Sequence, residues 1–308
     1  VILACSYRVD DVRQALGDAE HLGVRLRYVV ETEPLGTGGG VRNAADLARG
    51  TVWVLNGDVL TDADLTAMRR FHEARGSRTT IFLMPVADPR AYGLVELEDD
   101  ARLRRFREKP GADEPITTDT INAGVYLIDA ALLERMPSGR VVSIEREFFP
   151  ALIADRIPCF GWTDPGAYWR DIGSPAAYRD AQRDLLAGAV RSPLSPPGER
   201  RDGSWVAATA RLAADARLLA PSVLGEGVEV GARARVGPLS VVGDGSRIAD
   251  DARVEGAILW ERVRVGAGAV LHDCVVPADV TIGAGAEIGP GAVLEPGVTV
   301  AARARIAG

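Results

Sequence analysis

The chain has 308 residues, 47% of them hydrophobic, with 34 glycines and a net charge of −7 from 43 acidic and 36 basic side chains. That length leaves room for two domains, and an acidic balance with no basic stripe excludes a nucleic-acid footprint. No apolar run nears the roughly 18 residues of a membrane span and no basic leader precedes one, so a dissolved small molecule is the expected ligand.

From residue 1 to about 188, short apolar runs alternate with amphipathic ones. Val1–Ala4, Leu26–Val30, Val52–Leu55, Thr80–Met84 and Gly124–Ile128 read as strands. Their near-continuous apolar character suits strands covered on both sides and predicts a largely parallel sheet. Asp62 is placed to cap a helix carrying Leu65, Met68, Phe71 and His72. Ser174-Pro175 opens a further helix through Tyr178 and Leu185 that stops near Gly188. Residues 189–204, with Pro193, Pro196, Pro197 and Gly198, read as a linker. His21 and His72 read as helix-surface residues. Cys5, Cys159 and Cys274 share no pairing or zinc spacing and are expected to be free thiols in a reducing cytoplasm.

Beyond the linker the period becomes six. Val206, Leu212, Leu218, Leu224, Val230, Val236, Val242, Ile248 and Val254 follow at that interval, and the series resumes at Val265. The steps from Val254 to Val265 and from Leu271 to Ile282 each contain one five-residue interval. Such a unit cannot fold alone and must wind so that each rung buries its apolar residue against the next. The pattern resembles a left-handed parallel β-helix over residues 205–308, with self-association or regulation as its expected task.

Several short motifs could carry chemistry. Asp58 ends an apolar strand through Asn56-Gly57, where open α/β sheets bind ligands; alone it also reads as a turn cap. Asp171, in Trp169-Arg-Asp-Ile-Gly173, has the same two readings. Two such carboxylates could share one Mg2+, a cation that takes few acidic ligands and completes its shell with phosphate oxygens. The run Glu33-Pro-Leu-Gly-Thr-Gly38 leads into a helix and can cradle phosphate or simply turn the chain. Phe106-Arg-Glu-Lys-Pro110 closes a strand at its proline, and Asn122-Ala-Gly124 opens the next apolar strand. Glu108 and Lys109 can line one pocket only if the strand twists or bulges there, because neighbours on a regular strand face opposite ways.

The order and spacing of these five motifs resemble the sugar nucleotidyltransferases, with the guanylyltransferases that act on mannose 1-phosphate the nearest likeness. The resemblance implies a Rossmann-like α/β nucleotide-diphospho-sugar transferase domain over residues 1–188. It also implies transfer of a nucleotide from GTP to a sugar 1-phosphate with release of pyrophosphate. By resemblance Asp58 and Asp171 hold Mg2+, and Lys109 binds the sugar phosphate. Glu31, Pro34, Leu35, Gly36, Thr37 and Gly57 contact the nucleotide. Gly93, Glu108, Asn122, Gly124 and Glu145 contact the sugar. A carboxylate at Glu31 accepts N1–H and the 2-amino group of guanine but suits uracil or thymine badly, which favours GTP. No nucleic acid or membrane is expected as a partner; a second copy of the chain is.

The family's Gly-rich loop, with its Arg and following Lys, has no counterpart here. Val1-Ile-Leu-Ala-Cys-Ser-Tyr7 matches the family's second strand, so upstream residues are expected to be missing and this polypeptide to have little or no pyrophosphorylase activity. Three alternatives stay open: a glucose-1-phosphate thymidylyl-, uridylyl- or adenylyltransferase, a non-catalytic sensor of nucleotide sugars, and a hexapeptide acyltransferase using His272.

Overall fold

Among the described residues, ten strands and six α-helices precede the repeats. The strands are β1 (Ile2–Cys5), β2 (Arg27–Val30), β3 (Thr51–Leu55), β4 (Val59–Thr61), β5 (Thr79–Pro85), β6 (Gly93–Leu97), β7 (Leu103–Glu108), β8 (Thr120–Asp129), β9 (Cys159–Thr163) and β10 (Trp169–Asp171). The helices are α1 (Val9–Leu16), α2 (Gly36–Asn43), α3 (Leu65–Ala74), α4 (Ala130–Leu133), α5 (Phe149–Ala154) and α6 (Pro175–Leu186). The computed structural model describes every residue except His21, Leu22 and Pro197. The surface position expected of His21 therefore lies outside the described residues. The chain divides into two compact units, residues 1–59 with 63–169, and residues 60–62 with 170–308.

In the first unit the central element is β8. It is antiparallel to β5 along one edge, and to β6 and then β3 along the other. Strand β7 extends the sheet beyond β6, and β9 runs parallel to β5. The expected largely parallel sheet is thus corrected: in the main sheet, β5 with β9 is parallel while β8 is antiparallel to each of its neighbours, and β1 with β2 forms a separate parallel pair. The apolar runs misled because they report burial on both sides of a strand, and a central antiparallel strand has that too. Ile81, Leu83, Tyr126 and Ile128 pack into one core with Phe149, while Phe82, Val125 and Leu127 pack into another with Met68.

Helix α3 corrects two further expectations. Its cap is Asp64, whose carboxylate accepts from Ala67 N at 2.9 Å, whereas Asp62 accepts from Arg191 Nε at 3.0 Å. His72 is buried at 5% exposure, with Nδ1 2.8 Å from Thr80 Oγ1, and burial lowers its pKa. Helix periodicity put Met68 and His72 on one side together, and that is the side facing the sheet. Helix α6 forms as expected, with Ser174 Oγ accepting from Ala177 N at 3.2 Å.

In the second unit, a hairpin of Glu199–Arg201 with Ser204–Val206 opens a parallel β-helix of three sheets. Strand partners on successive coils are 18 residues apart at first, as Ser222 with Ser240. They drop to 17 where Val241 pairs with Ile258 and Ile258 with Val275, then return to 18 at Thr281 with Thr299. The five-residue intervals read from the sequence are Val254 to Leu259 and Leu271 to Val276, all four side chains being buried. The inward column of Val, Leu and Ile is joined by small corner residues such as Ala234, Ala252 and Ala269. Cys159 and Cys274 are buried free thiols, each pushed up to about 12 by burial. No helix among the described residues is long and apolar enough to cross a membrane.

Candidate active site

The Gly-rich run does not merely lead into a helix; it is the helix. Helix α2 begins at Gly36, whose φ is +72°; its buried Gly38 and Gly39 pack against the chain at residues 136–144, and its buried Gly40 faces Glu31 and Ala4. Glu31 braces its start, with Oε2 accepting from Leu35 N at 2.8 Å and Oε1 lying where a Cβ on Gly40 would meet it at 2.6 Å. Thr37 Oγ1 donates to Glu145 Oε2 at 2.7 Å and accepts from Ile144 N at 3.1 Å. Ser143 Oγ adds a second hydrogen bond to Glu145 Oε2 at 2.9 Å. A loop expected on the nucleotide side and a carboxylate expected on the sugar side are therefore joined directly. Pro34 and Gly36 are exposed beside them.

The Asn122-Ala-Gly124 stretch of β8 ties three other motifs together. Gly124, at φ +73°, accepts through its carbonyl from Asn56 N at 2.9 Å, which fixes the turn carrying Gly57 and Asp58. Asn122 Nδ2 donates to the Tyr126 hydroxyl at 2.8 Å, and its Oδ1 accepts from Gly124 N at 3.1 Å. Trp169 Nε1 donates to Ala123 O at 2.8 Å. The Trp169 ring stands edge-on to Tyr92 with centroids 5.5 Å apart. Residue 92 in turn accepts, through its carbonyl, from Lys109 N at 3.2 Å.

Strand β7 ends at Glu108, and Lys109 adopts a left-handed φ of 46°. That break in the alternation is the irregularity needed for Glu108 and Lys109 to escape opposite orientations. Glu108 sits over Gly93, where a Cβ would meet its Oε2 at 2.6 Å. Burial, and then the neighbouring Glu145, push the Glu108 carboxyl above the usual range, against the opposing pull of Lys109 and Arg146. Tyr126 was not singled out from the sequence, yet it lies at the centre. It is fully buried, and burial with the charges of Glu145, Glu108 and Asp58 drives its pKa far up. Its signal was the spacing from Asn122: four residues along one strand puts both on the same face.

Asp58 is exposed and makes no ion pair or side-chain hydrogen bond among the described residues. Asp171 belongs to the second unit, with Oδ1 accepting from Gly173 N at 2.8 Å. Both offer hard carboxylate oxygens of the kind Mg2+ takes. No group of three or more His, Cys, Asp or Glu is close enough to cage a metal among the described residues, so any cation would need oxygens from a ligand, as Mg2+ commonly does. His272 lies on a β-helix strand with its side chain 45% exposed.

Comparison with known proteins divides the chain later than the two compact units do, after α6 and not before it. The family profile Nucleotidyl transferase matches residues 1–188, and a profile described as EIF2B subunit epsilon LbH domain, a left-handed β-helix, matches residues 201–306. A mannose-1-phosphate guanylyltransferase of Mycobacterium tuberculosis is 39% identical over 88% of this chain and 70% of its own length. The mannose-1-phosphate guanylyltransferase catalytic subunit beta of Drosophila pseudoobscura pseudoobscura is 35% identical over 61% of this chain, which spans only 48% of that protein. A structure from Bacillus anthracis, described as a glucose-1-phosphate thymidylyltransferase, shares the fold at TM-score 0.51. It is 20% identical over 60% of this chain and 74% of that one. The chain belongs to the nucleotidyl transferase family, among the relatives of mannose-1-phosphate guanylyltransferase.

Proposed function

We propose that the site is built to form GDP-mannose and pyrophosphate from GTP and mannose 1-phosphate, and that the 308-residue polypeptide, which has no counterpart of the family's Gly-rich loop with its Arg and Lys, binds GDP-mannose but turns over little. The observation that carries this reading is that Thr37 is bonded to Glu145 and Asn122 to Tyr126, and that the charges of Glu145 and Glu108 both act on that buried phenol, in a chain related to guanylyltransferases. An oxygen of the sugar 1-phosphate attacks the α-phosphorus; the new P–O bond forms as the bond to the leaving pyrophosphate breaks, and pyrophosphate takes the electron pair. Catalysis of this kind rests on alignment and on neutralising anionic oxygens, so no covalent enzyme intermediate is required.

In this reading Lys109 offsets the charge of the sugar phosphate. Glu108, Glu145 and Asn122 take hydrogen bonds from the sugar hydroxyls, with Gly93 and Gly124 leaving room for the ring. Hydroxyl donors entering between Glu108 and Glu145 would offset the burial, and then the repulsion, that hold the Glu108 carboxyl high. Residues 34–37 and Gly57 lie along the nucleotide. Glu31 already spends one lone pair on Leu35 N, and a carboxylate keeps others with which to accept from the guanine edge. Asp58 and Asp171 would hold Mg2+, which when bound supplies positive charge to the phosphate oxygens. The β-helix would pair with a second copy of the chain.

Base selectivity is the direct test. In calorimetric titrations GDP-mannose should bind well ahead of UDP-glucose, ADP-glucose and dTDP-glucose. Glu31→Gln should weaken GDP-mannose by about tenfold, the worth of a charge-assisted hydrogen bond. Equal affinity for the uridine and guanosine sugars would remove the guanylyl assignment.

A further inference from the structure

The two five-residue intervals fall at the same corner of the β-helix on consecutive coils. In the flanking coils that corner takes six residues, from Val236 to Val242 and from Ile288 to Leu294. In the shortened coils it is occupied by Gly256 and Asp273, which adopt left-handed φ values of 59° and 50°. Removing one residue shortens the path around a corner by about 3.3 Å, so these two corners stand in from their neighbours.

Helix α6 meets the β-helix there. Arg183 pairs with the Asp273 carboxylate, and Arg179 Nη1 donates to the Asp273 carbonyl at 3.0 Å. Both guanidinium groups keep a buried Nε at the contact. Gly256 completes the recess, because a Cβ there would collide with the Asp273 carboxylate and come within 3.1 Å of Arg183 Nη2. On the strands that follow, the outward-pointing Ile258 and Val275 of the same two coils are 3% and 5% exposed, against 47% for Val293 one coil later. The break in the six-residue period thus coincides with a place built to receive a helix.

The adjacent face of α6 holds β10. Arg170 Nε and Nη2 donate to Asp184 Oδ2 at 3.0 and 2.7 Å, and Asp171 is the next residue. We infer that the shortened corners are a seat through which the β-helix sets the position of Asp171, with Asp273, Gly256, Arg183 and Arg179 acting as positioning residues. The consequence for metal binding rests on the proposed function; the seat itself rests on the contacts above. The β-helix is then more than an assembly module, since two of its corners are shaped for a helix that leads directly from a candidate metal ligand.

Hydrogen exchange on the 308-residue protein tests this. Asn tolerates a left-handed backbone, so Asp273→Asn removes the charge without straining the corner. Amides of residues 171–186 should exchange roughly tenfold faster in the variant, while the strands between residues 240 and 276 keep their protection. If D273N disturbs those strands, Arg183→Gln, which leaves the β-helix sequence intact, gives the same reading from the helix side. Unchanged exchange over residues 171–186 in both variants overturns the seat.

Mg2+ titrations of GDP-mannose binding supply the second readout. The Mg2+ requirement should rise several-fold in D273N and be lost in Asp171→Asn. Loss in D171N with no change in D273N overturns the positioning of Asp171 by the seat. If D171N itself changes nothing, the metal role of Asp171 falls, and the exchange result alone decides the seat.

Discussion

Glu108, at the end of β7, and Glu145, on the helical turn of residues 144–148, both act on the same buried phenol, and that crowding has a measurable cost. The Glu108 carboxyl is held above the ordinary glutamate value near 4.3 by burial and by Glu145. A carboxyl raised in the folded state favours folding below the ordinary value and loses that contribution as pH rises through the folded-state value. Glu108→Gln should therefore raise the thermal midpoint at pH 7, with the gap closing toward pH 4 in scanning calorimetry, while GDP-mannose binding weakens. Thr37 has a different part. Its hydroxyl supplies one of the donors to the 9%-exposed Glu145, so Thr37→Val should cost roughly 1–2 kcal/mol in denaturant unfolding and Thr37→Ser much less. The motifs themselves were legible through their order. The linkage of Thr37 to Glu145 was not, because 108 residues separate them and no local rule pairs a threonine with a remote carboxylate. Tyr126 escaped notice for a related reason: within an apolar strand a tyrosine looks like core until its hydroxyl is seen to accept from Asn122.

At the scale of elements, the repeats were the plainest text in the sequence. A period of six with Val, Leu or Ile at each step leaves one way to bury every rung, and even the two five-residue steps reappear as coils of 17. Leu271, at 0% exposure, should cost about 2–5 kcal/mol when changed to Ala, measured by urea unfolding. A cost below about 1 kcal/mol would mean the column is not close-packed. Strand direction was less legible. Apolar runs report how many sides of a strand are covered, and β8 is covered on both while running antiparallel to β3, β5 and β6. The capping of α3 shows a similar ambiguity. Asp62 and Asp64 are both good caps by composition, and tertiary pairing with Arg191 takes Asp62 away from the role.

Across the whole molecule, the division into two units does not follow the motifs. Asp58 lies in the first unit and Asp171 in the second, together with the β-helix and α6. The sequence made this hard to see because Trp169-Arg-Asp-Ile-Gly173 reads as one motif. Its tryptophan is bonded to Ala123 in the first unit, while its arginine is bonded to Asp184 in the second. The acidic charge of −7 adds a further demand to the proposed function, in which an anionic nucleotide sugar would be met by local cations, Lys109 and a bound metal. Calorimetric titration of GDP-mannose with and without Mg2+, on the parent protein and on Asp58→Asn and Asp171→Asn, measures that demand directly. Binding should weaken about tenfold or more without Mg2+, and each variant should lose the metal's contribution. Affinity indifferent to Mg2+, or unaltered in both variants, would contradict the account.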